Sequence, residues 1–158
     1  MISEDAYRAV MRGFPAGVAV VAVDAPGGRL GLTVGSLASL SLRPPLVGVA
    51  IALEAAMHEL LRETGTFGVS LLAGDQEAVA QHFARGVPPI ALWHGIEWRP
   101  GSTGAPLLDG AVGWLECRVA AEHPAGDHTL FLGEVVSAER GAPGPGLVHV
   151  GGSYRPGP

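Results

Sequence analysis

The sequence predicts a mainly β chain that closes into an antiparallel barrel carrying two or three short helices. Short apolar, β-branched runs recur along it, bounded by Gly and Pro, of which the 158 residues hold 24 and 13. The stretches with helical spacing are few and brief. Hydrophobic residues make up 47% and charged ones 16%, and an open sheet this apolar would leave adhesive edges that closure removes.

Residues 4–13 are expected to form a short helix, with Val10, Met11 and Phe14 on one apolar surface, Ser3 or Asp5 as cap, and Gly13 and Pro15 as its end. Residues 18–23 are continuous and β-branched and run into Pro26-Gly27-Gly28, the pattern of a buried strand entering a hairpin. The next strand is expected to carry residues 33–41, and Pro44-Pro45 to force an extended entry into a strand at 46–52. A helix at 55–63 turns Met57, Leu60 and Leu61 inward, a strand follows at 67–72, and Asp75 is placed to cap a helix over 76–83. Residues 86–110 are rich in Gly and Pro around Trp93 and Trp98 and predict only short strands and loops. Strands at 111–119 and 129–138 are joined by the turn-forming stretch 122–127; a loop at 141–146 and a last strand at 147–154 complete the chain. No internal repeat or linker interrupts it, so residues 1–158 are expected to be one domain.

Composition excludes several functions. The net charge is −5 and the ten basic residues are scattered singly, so no basic stripe exists to meet nucleic acid. All ten are Arg; without Lys or Asn there is no P-loop lysine, no Schiff-base lysine and no catalytic Asn amide. One cysteine, Cys117, precludes an internal disulfide, and six histidines without paired ligand spacing argue against a metal site. The acidic start and the lack of an apolar run near the ~20 residues that span a bilayer point away from membranes and toward the cytoplasm. The apolar excess predicts a buried subunit interface, hence a homodimer.

Two motifs stand out. In Gly31-Leu-Thr33-Val34-Gly35-Ser36-Leu-Ala-Ser39-Leu-Ser41-Leu-Arg-Pro44-Pro45, four hydroxyl residues sit among small and apolar ones. Such a segment lines a ligand site, or on the plainer reading faces solvent along an amphipathic strand. In Gly126-Asp127-His128, Gly and Asp make a tight turn that presents an imidazole at the mouth of a strand. Ser36, His128 and Asp127 would suit a hydrolase on paper, but no G-x-S-x-G elbow exists and the Asp–His adjacency is expected to keep Asp127 from the Nδ1 of His128.

Together with Phe14-Pro-Ala-Gly17-Val18, Ser70-Leu-Leu-Ala-Gly-Asp75-Gln76 and Gly110-Ala-Val-Gly-Trp-Leu-Glu116-Cys117-Arg118, these motifs resemble, in order and from about Tyr7 to Tyr154, the short-chain flavin reductases. The resemblance implies an FMN-binding split β-barrel, Greek-key-like and antiparallel, as a single flavin reductase-like domain. It implies NAD(P)H:flavin oxidoreductase activity, with FMN or FAD as cofactor, NADH or NADPH as co-substrate, and a flavin-dependent monooxygenase as partner. No side chain need act as acid or base, because the cofactors hold the reactivity and the protein places them. By the same resemblance Thr33, Val34, Gly35 and Ser36 run along the isoalloxazine edge, and Ser39, Ser41, Ala50 and Ile51 lie toward the ribityl chain and phosphate. His82, Phe83, Ala84 and Arg85 stand beside the flavin tail, and Asp127 and His128 on the nicotinamide side. Where the family often has Asn or another polar residue this chain has Gly35, and where the family has Asn in a later strand it has Ser70. A non-catalytic flavin carrier on the same fold is the rival reading; a haem- or pyridoxal-phosphate-binding barrel suits a Lys-free, ligand-poor chain less well.

Overall fold

The computed structural model describes residues 1–158. In chain order it contains α1 (Glu4–Met11), β1 (Ala16–Gly17), β2 (Ala19–Ala25), β3 (Gly28–Val34), β4 (Ala38–Leu42), β5 (Pro45–Ala52), α2 (Ala56–Thr64) and β6 (Thr66–Leu71). There follow α3 (Glu77–Ala84), α4 (Pro89–Leu92), β7 (Trp98–Pro100), β8 (Pro106–Leu108), β9 (Gly113–Ala125), β10 (His128–Arg140), β11 (Leu147–Val150) and β12 (Ser153–Pro156). Seven strands pair antiparallel in the order β3-β2-β6-β9-β10-β5-β4.

The two edge strands of this sheet, β3 and β4, are consecutive in the chain and are joined only by Gly35, Ser36 and Leu37. Laid flat, seven strands at about 4.8 Å spacing would put the edges roughly 29 Å apart, whereas the four Cα steps from Val34 to Ala38 reach at most about 14 Å. The sheet must therefore roll up. No ladder joins β3 to β4, so the barrel is split along this seam. That is the fold expected from the sequence.

Inward positions fill the barrel with Val21, Val23, Val49, Ile51, Phe67, Val69, Cys117 and Phe131, and α2 plugs one end with Met57 and Leu61. Gly133 lets the Phe67 ring lie against β10; a Cβ there would stand 2.6 Å from the ring. Outside the barrel Val18, Val20, Leu72, Ala80, Phe83, Leu92, Leu108 and Leu147 form a second cluster under α3 and α4. Residues 18–23 are continuously apolar because they are buried on both faces.

Several elements differ from the sequence expectation. Residues 33–41 are not one strand: they end β3, cross the seam and begin β4. Pro44 sits in the two-residue turn between β4 and β5, where Leu42 pairs with Pro45, rather than in an extended lead-in. Asp75 does not cap α3. The cap position is Gln76, whose side chain accepts from the Ala73 N–H at 2.9 Å and donates to the Asp109 carbonyl at 2.8 Å, binding two loops. Residues 86–110 contain α4, and Trp93 packs there against Phe83 and Trp98 while Arg29 stacks on Trp98 at 3.7 Å. The β9–β10 connection is only Gly126-Asp127, with Gly126 at φ +66°. The last segment is a hairpin, not one strand: Gly151 and Gly152, at φ +62° and +78°, turn β11 back into β12, and β1 completes a separate three-stranded sheet. Ser3 caps α1 as expected, but no residue of this helix is buried, and Tyr7, Val10 and Phe14 lie open.

Candidate functional site at the barrel seam

The seam is where backbone polarity is left over. The N–H and C=O groups of Gly35, Ser36 and Leu37 have no backbone partner, and a run of unpaired peptide groups at a surface is a ready acceptor and donor set for a ligand. The segment is pinned from one side: Ser36 Oγ accepts the Ala50 N–H and donates to the Ala50 carbonyl, both at 3.1 Å. Two continuous clefts flank it. One, of about 160 Å³, lies between Thr33, Gly35 and Ala84 on one side and His149 and Tyr154 on the other. The second, a groove of about 490 Å³, runs from Gly35 and Ser36 to Tyr7, Arg8, Arg12 and Phe14. Ala16, Gly35 and His149 belong to both. A separate concavity of about 400 Å³, by Ala73–Gly74 and the 142–145 loop, offers one ionisable side chain, Asp75.

The residues singled out in the sequence fall into three groups. Gly35, Ser36, Thr33, Val34 and Ala84 meet at the cleft, although Thr33 Oγ1 is committed to the Ala80 carbonyl at 2.7 Å and Val34 is buried, which leaves backbone as its means of contact. Ser39 is exposed with a hydroxyl unpartnered in the protein, whereas Ser41 Oγ accepts the Arg43 N–H at 3.2 Å and so braces the turn; the bulge at Leu40 lies between them. Ala50 spends both backbone groups on Ser36, and Ile51 is wholly buried in the barrel core. The second group departs from expectation. His82 Nε2–H donates to the Leu92 carbonyl at 2.6 Å and thereby holds α4; Phe83 is 2% exposed, its ring over Gly31 and against Trp93. Phe83 is not free for a ligand, and His82 keeps only Nδ1 without a partner in the protein. Arg85 is exposed at the end of α3 without an ion pair, outside both clefts.

Asp127 and His128 form the third group. Contrary to expectation from their adjacency, Asp127 Oδ1 accepts from His128 Nδ1 at 2.7 Å, because Asp127 stands in the turn and not in the strand, where neighbouring side chains diverge. The hydrogen bond from His128 and that residue's charge hold the Asp127 carboxyl below the usual range, with a further contribution from Arg8. Fixing Nδ1 in this way leaves Nε2 of the partly exposed His128 without a partner in the protein. His128 lies opposite Ala52, two residues along β5 from the Ala50 that holds Ser36. The two motifs thus flank β5 from opposite edges, and neither Asp127 nor His128 lines either cleft. The hydrolase reading fails here, since the Ser36 proton goes to a carbonyl and not to an imidazole. Cys117 is no nucleophile either: burial, helped by the Glu116 charge, pushes its thiol up to about 12.

Ser70 makes no contribution to the cleft; it is buried, accepting the Leu108 N–H at 2.9 Å to hold β8. The sequence reading missed His149 and Tyr154, whose rings pack at 4.9 Å, as well as Arg8 and Arg12. Gly151-Gly152 was the available signal: read as a hairpin turn, it brings His149 and Tyr154 opposite each other.

Comparison with known proteins converges on this architecture. Residues 11–158 match the flavin reductase like domain. The chain belongs to that family. It is 42% identical over 151 residues, 94% of this chain and 82% of the relative, to an NADH-dependent FAD reductase of Streptomyces globisporus. It is 38% identical over 153 residues, 96% and 95% of the two chains, to the reductase component of 4-hydroxyphenylacetate 3-monooxygenase of Thermus thermophilus. Among solved structures, a Streptomyces globisporus NADH:FAD oxidoreductase in complex with NAD and FAD fragments superposes with TM-score 0.89 at 41% identity, covering 94% of this chain and 89% of that one. The flavin reductase component of a bacterial two-component tryptophan halogenase gives TM-score 0.92 at 38% identity over 98% of each chain.

Proposed function

We propose that this protein is an NAD(P)H:flavin oxidoreductase, with NADH the favoured donor and FMN or FAD the acceptor, as one catalytic domain over residues 1–158. The observation that carries the reading is the seam: unpaired backbone at Gly35–Leu37 beside two clefts, pinned to β5 by Ser36, in a chain of the flavin reductase like family. When both cofactors are bound, the nicotinamide supplies a hydride and the flavin takes up its two electrons, chemistry that asks no acid or base of the protein. The residues have the complementary task of placement. Peptide groups at 35–37 and the free hydroxyl of Ser39 suit the polar edge and tail of a flavin. Ser36 fixes the seam against β5, and His128, oriented by Asp127, suits the carboxamide or a phosphate of the nicotinamide nucleotide.

The relatives that serve as reductase components of a monooxygenase and a halogenase support a role in handing reduced flavin to a separate oxygenase. The open apolar face of α1 and the exposed Leu40 and Leu42 of β4 support a homodimer that covers them. Anaerobic addition of NADH to flavin-loaded protein tests the activity. Bleaching of the flavin absorption on the timescale of turnover is expected; unchanged colour would leave a flavin carrier on the same fold.

A further inference from the structure

We propose that the cleft wall outside the barrel, at the corner formed by Arg12, His149 and Tyr154, takes the phosphate-bearing part of a nucleotide cofactor. The inference rests on the flavin reductase reading and adds to it where the anionic end of a ligand goes. The two walls differ in chemistry. The barrel wall offers neutral peptide groups and hydroxyls at residues 33–36, matched to the edge of a ring system. The opposite wall, built from α1 and the three-stranded sheet, carries Arg8, Arg12 and His149. No carboxylate lines either part of the cleft, although the chain has 15 acidic residues and a net charge of −5. In an acidic protein, a concave surface that holds cations and excludes acids is the electrostatic footprint of an anionic ligand.

Within that wall Arg12 and His149 line the same groove, and Tyr154 lies across the β11–β12 ladder from His149. Arg8 is paired with Glu4 at 3.3 Å, but Arg12 has no ion pair, and neither the His149 ring nitrogens nor the Tyr154 hydroxyl has a partner in the protein. Their backbones are fixed relative to one another. The Gly151 N–H donates to the Arg12 carbonyl at 2.8 Å, His149 pairs with Ala16 and with Tyr154 across the two ladders, and the two rings pack at 4.9 Å. Guanidinium, imidazole and phenol together match a phosphate ester attached to a flat ring. By contrast, Arg85 and His82, which the family resemblance sets beside the flavin tail, line neither part of the cleft, and His82 Nε2 is held by the Leu92 carbonyl.

A flavin phosphate and a nicotinamide dinucleotide share this chemistry, and phosphate-free probes separate them. Arg12→Gln and His149→Gln, both exposed and checked for unchanged thermal melting, are compared with the parent for binding of FMN against riboflavin. The same proteins are compared for reduction kinetics with NADH against N-benzyl-1,4-dihydronicotinamide. Loss of one charge-assisted hydrogen bond is expected to raise the Kd or KM of the phosphate-bearing member about 10-fold, with its phosphate-free counterpart unmoved. A shift for FMN alone assigns the corner to the flavin phosphate; a shift for NADH alone assigns it to the dinucleotide. Equal shifts for both members of a pair, or none in either pair, overturn the proposal. A parent that reduces no flavin with either donor would instead refute the reading on which it rests.

Discussion

Thr129→Val is the most exacting test of how the β9–β10 hairpin is held. Thr129 is 4% exposed and points into the barrel one residue after His128; its Oγ1 lies 2.7 Å from Nε2 of His58, itself 2% exposed. The other imidazole nitrogen, Nδ1, donates to Glu59 Oε1 at 3.0 Å, so both ring nitrogens of the buried imidazole are partnered, Nε2 by the Thr129 hydroxyl. Valine preserves the shape of threonine and removes only the hydroxyl. A net hydrogen bond of about 1 kcal/mol is lost and a buried ring nitrogen is left unpaired, at a further cost of about 1–2 kcal/mol. For a chain of this length a total near 2–3 kcal/mol corresponds to a fall in Tm of roughly 5–10 °C. Removing both polar partners is expected to be gentler. In His58→Leu/Thr129→Val no buried group is orphaned, so the double variant should be more stable than the sum of the single changes by about 1–2 kcal/mol. Urea and thermal denaturation at one protein concentration measure the cycle. Additive losses, or a Thr129→Val change within about 0.5 kcal/mol of the parent, would refute the assignment of this bond as the one that satisfies the buried pair.

The Glu116 carboxylate is 4% exposed; burial alone would push its pKa up, but hydrogen bonds from the hydroxyl and backbone N–H of Thr103 and of Ser102, at 2.6–3.0 Å, outweigh that and lower it. With the folded value depressed, its stabilisation is present above the unfolded carboxylate range near pH ~4.3 and is lost as pH falls through the folded value. Glu116→Gln should therefore cost about 2–3 kcal/mol near neutral pH and flatten the acid limb of the stability curve; an unchanged acid limb counts against the clamp. Ser39→Ala is expected to weaken flavin binding about 10-fold and Ser41→Ala less, because the Ser41 oxygen already serves Arg43; titration of flavin fluorescence giving the reverse order would move the site along β4. His128→Ala should lower kcat/KM for NADH by about 10- to 100-fold with flavin Kd nearly unchanged, and equal stopped-flow reduction in variant and parent would make it a surface residue. Sedimentation is expected to find a dimer at micromolar concentration, and Phe14→Ser with Leu42→Ser to dissociate it; a monomeric parent would leave the open face of α1 without its proposed cover.

Much of this was legible in the linear chain, because the determinants are local. The unbroken β-branched run at 18–23, the turn at Gly126-Asp127 and the Gly- and Pro-bounded strands follow from residue shape and backbone freedom, and these suffice for a closed β architecture. The family motifs carried the functional class in the same way. What the sequence left open depended on which strand lies beside which. The hydroxyl-rich segment reads as one strand, and only closure of the barrel makes residues 35–37 a crossing whose peptide groups stay unpaired. Ser36 and His128 come to flank the same end of β5 solely through strand pairing, and long-range pairing of that kind leaves no periodic trace in either motif. Phe83 looks like a ligand residue until α4 packs on it, just as Arg12 and His149 look like unrelated surface until the second sheet sets them in one groove. Residue chemistry determined what each side chain was able to do; tertiary packing decided which of them still had a free valence facing the cleft, because a polar atom satisfied inside the protein has little left to offer a ligand.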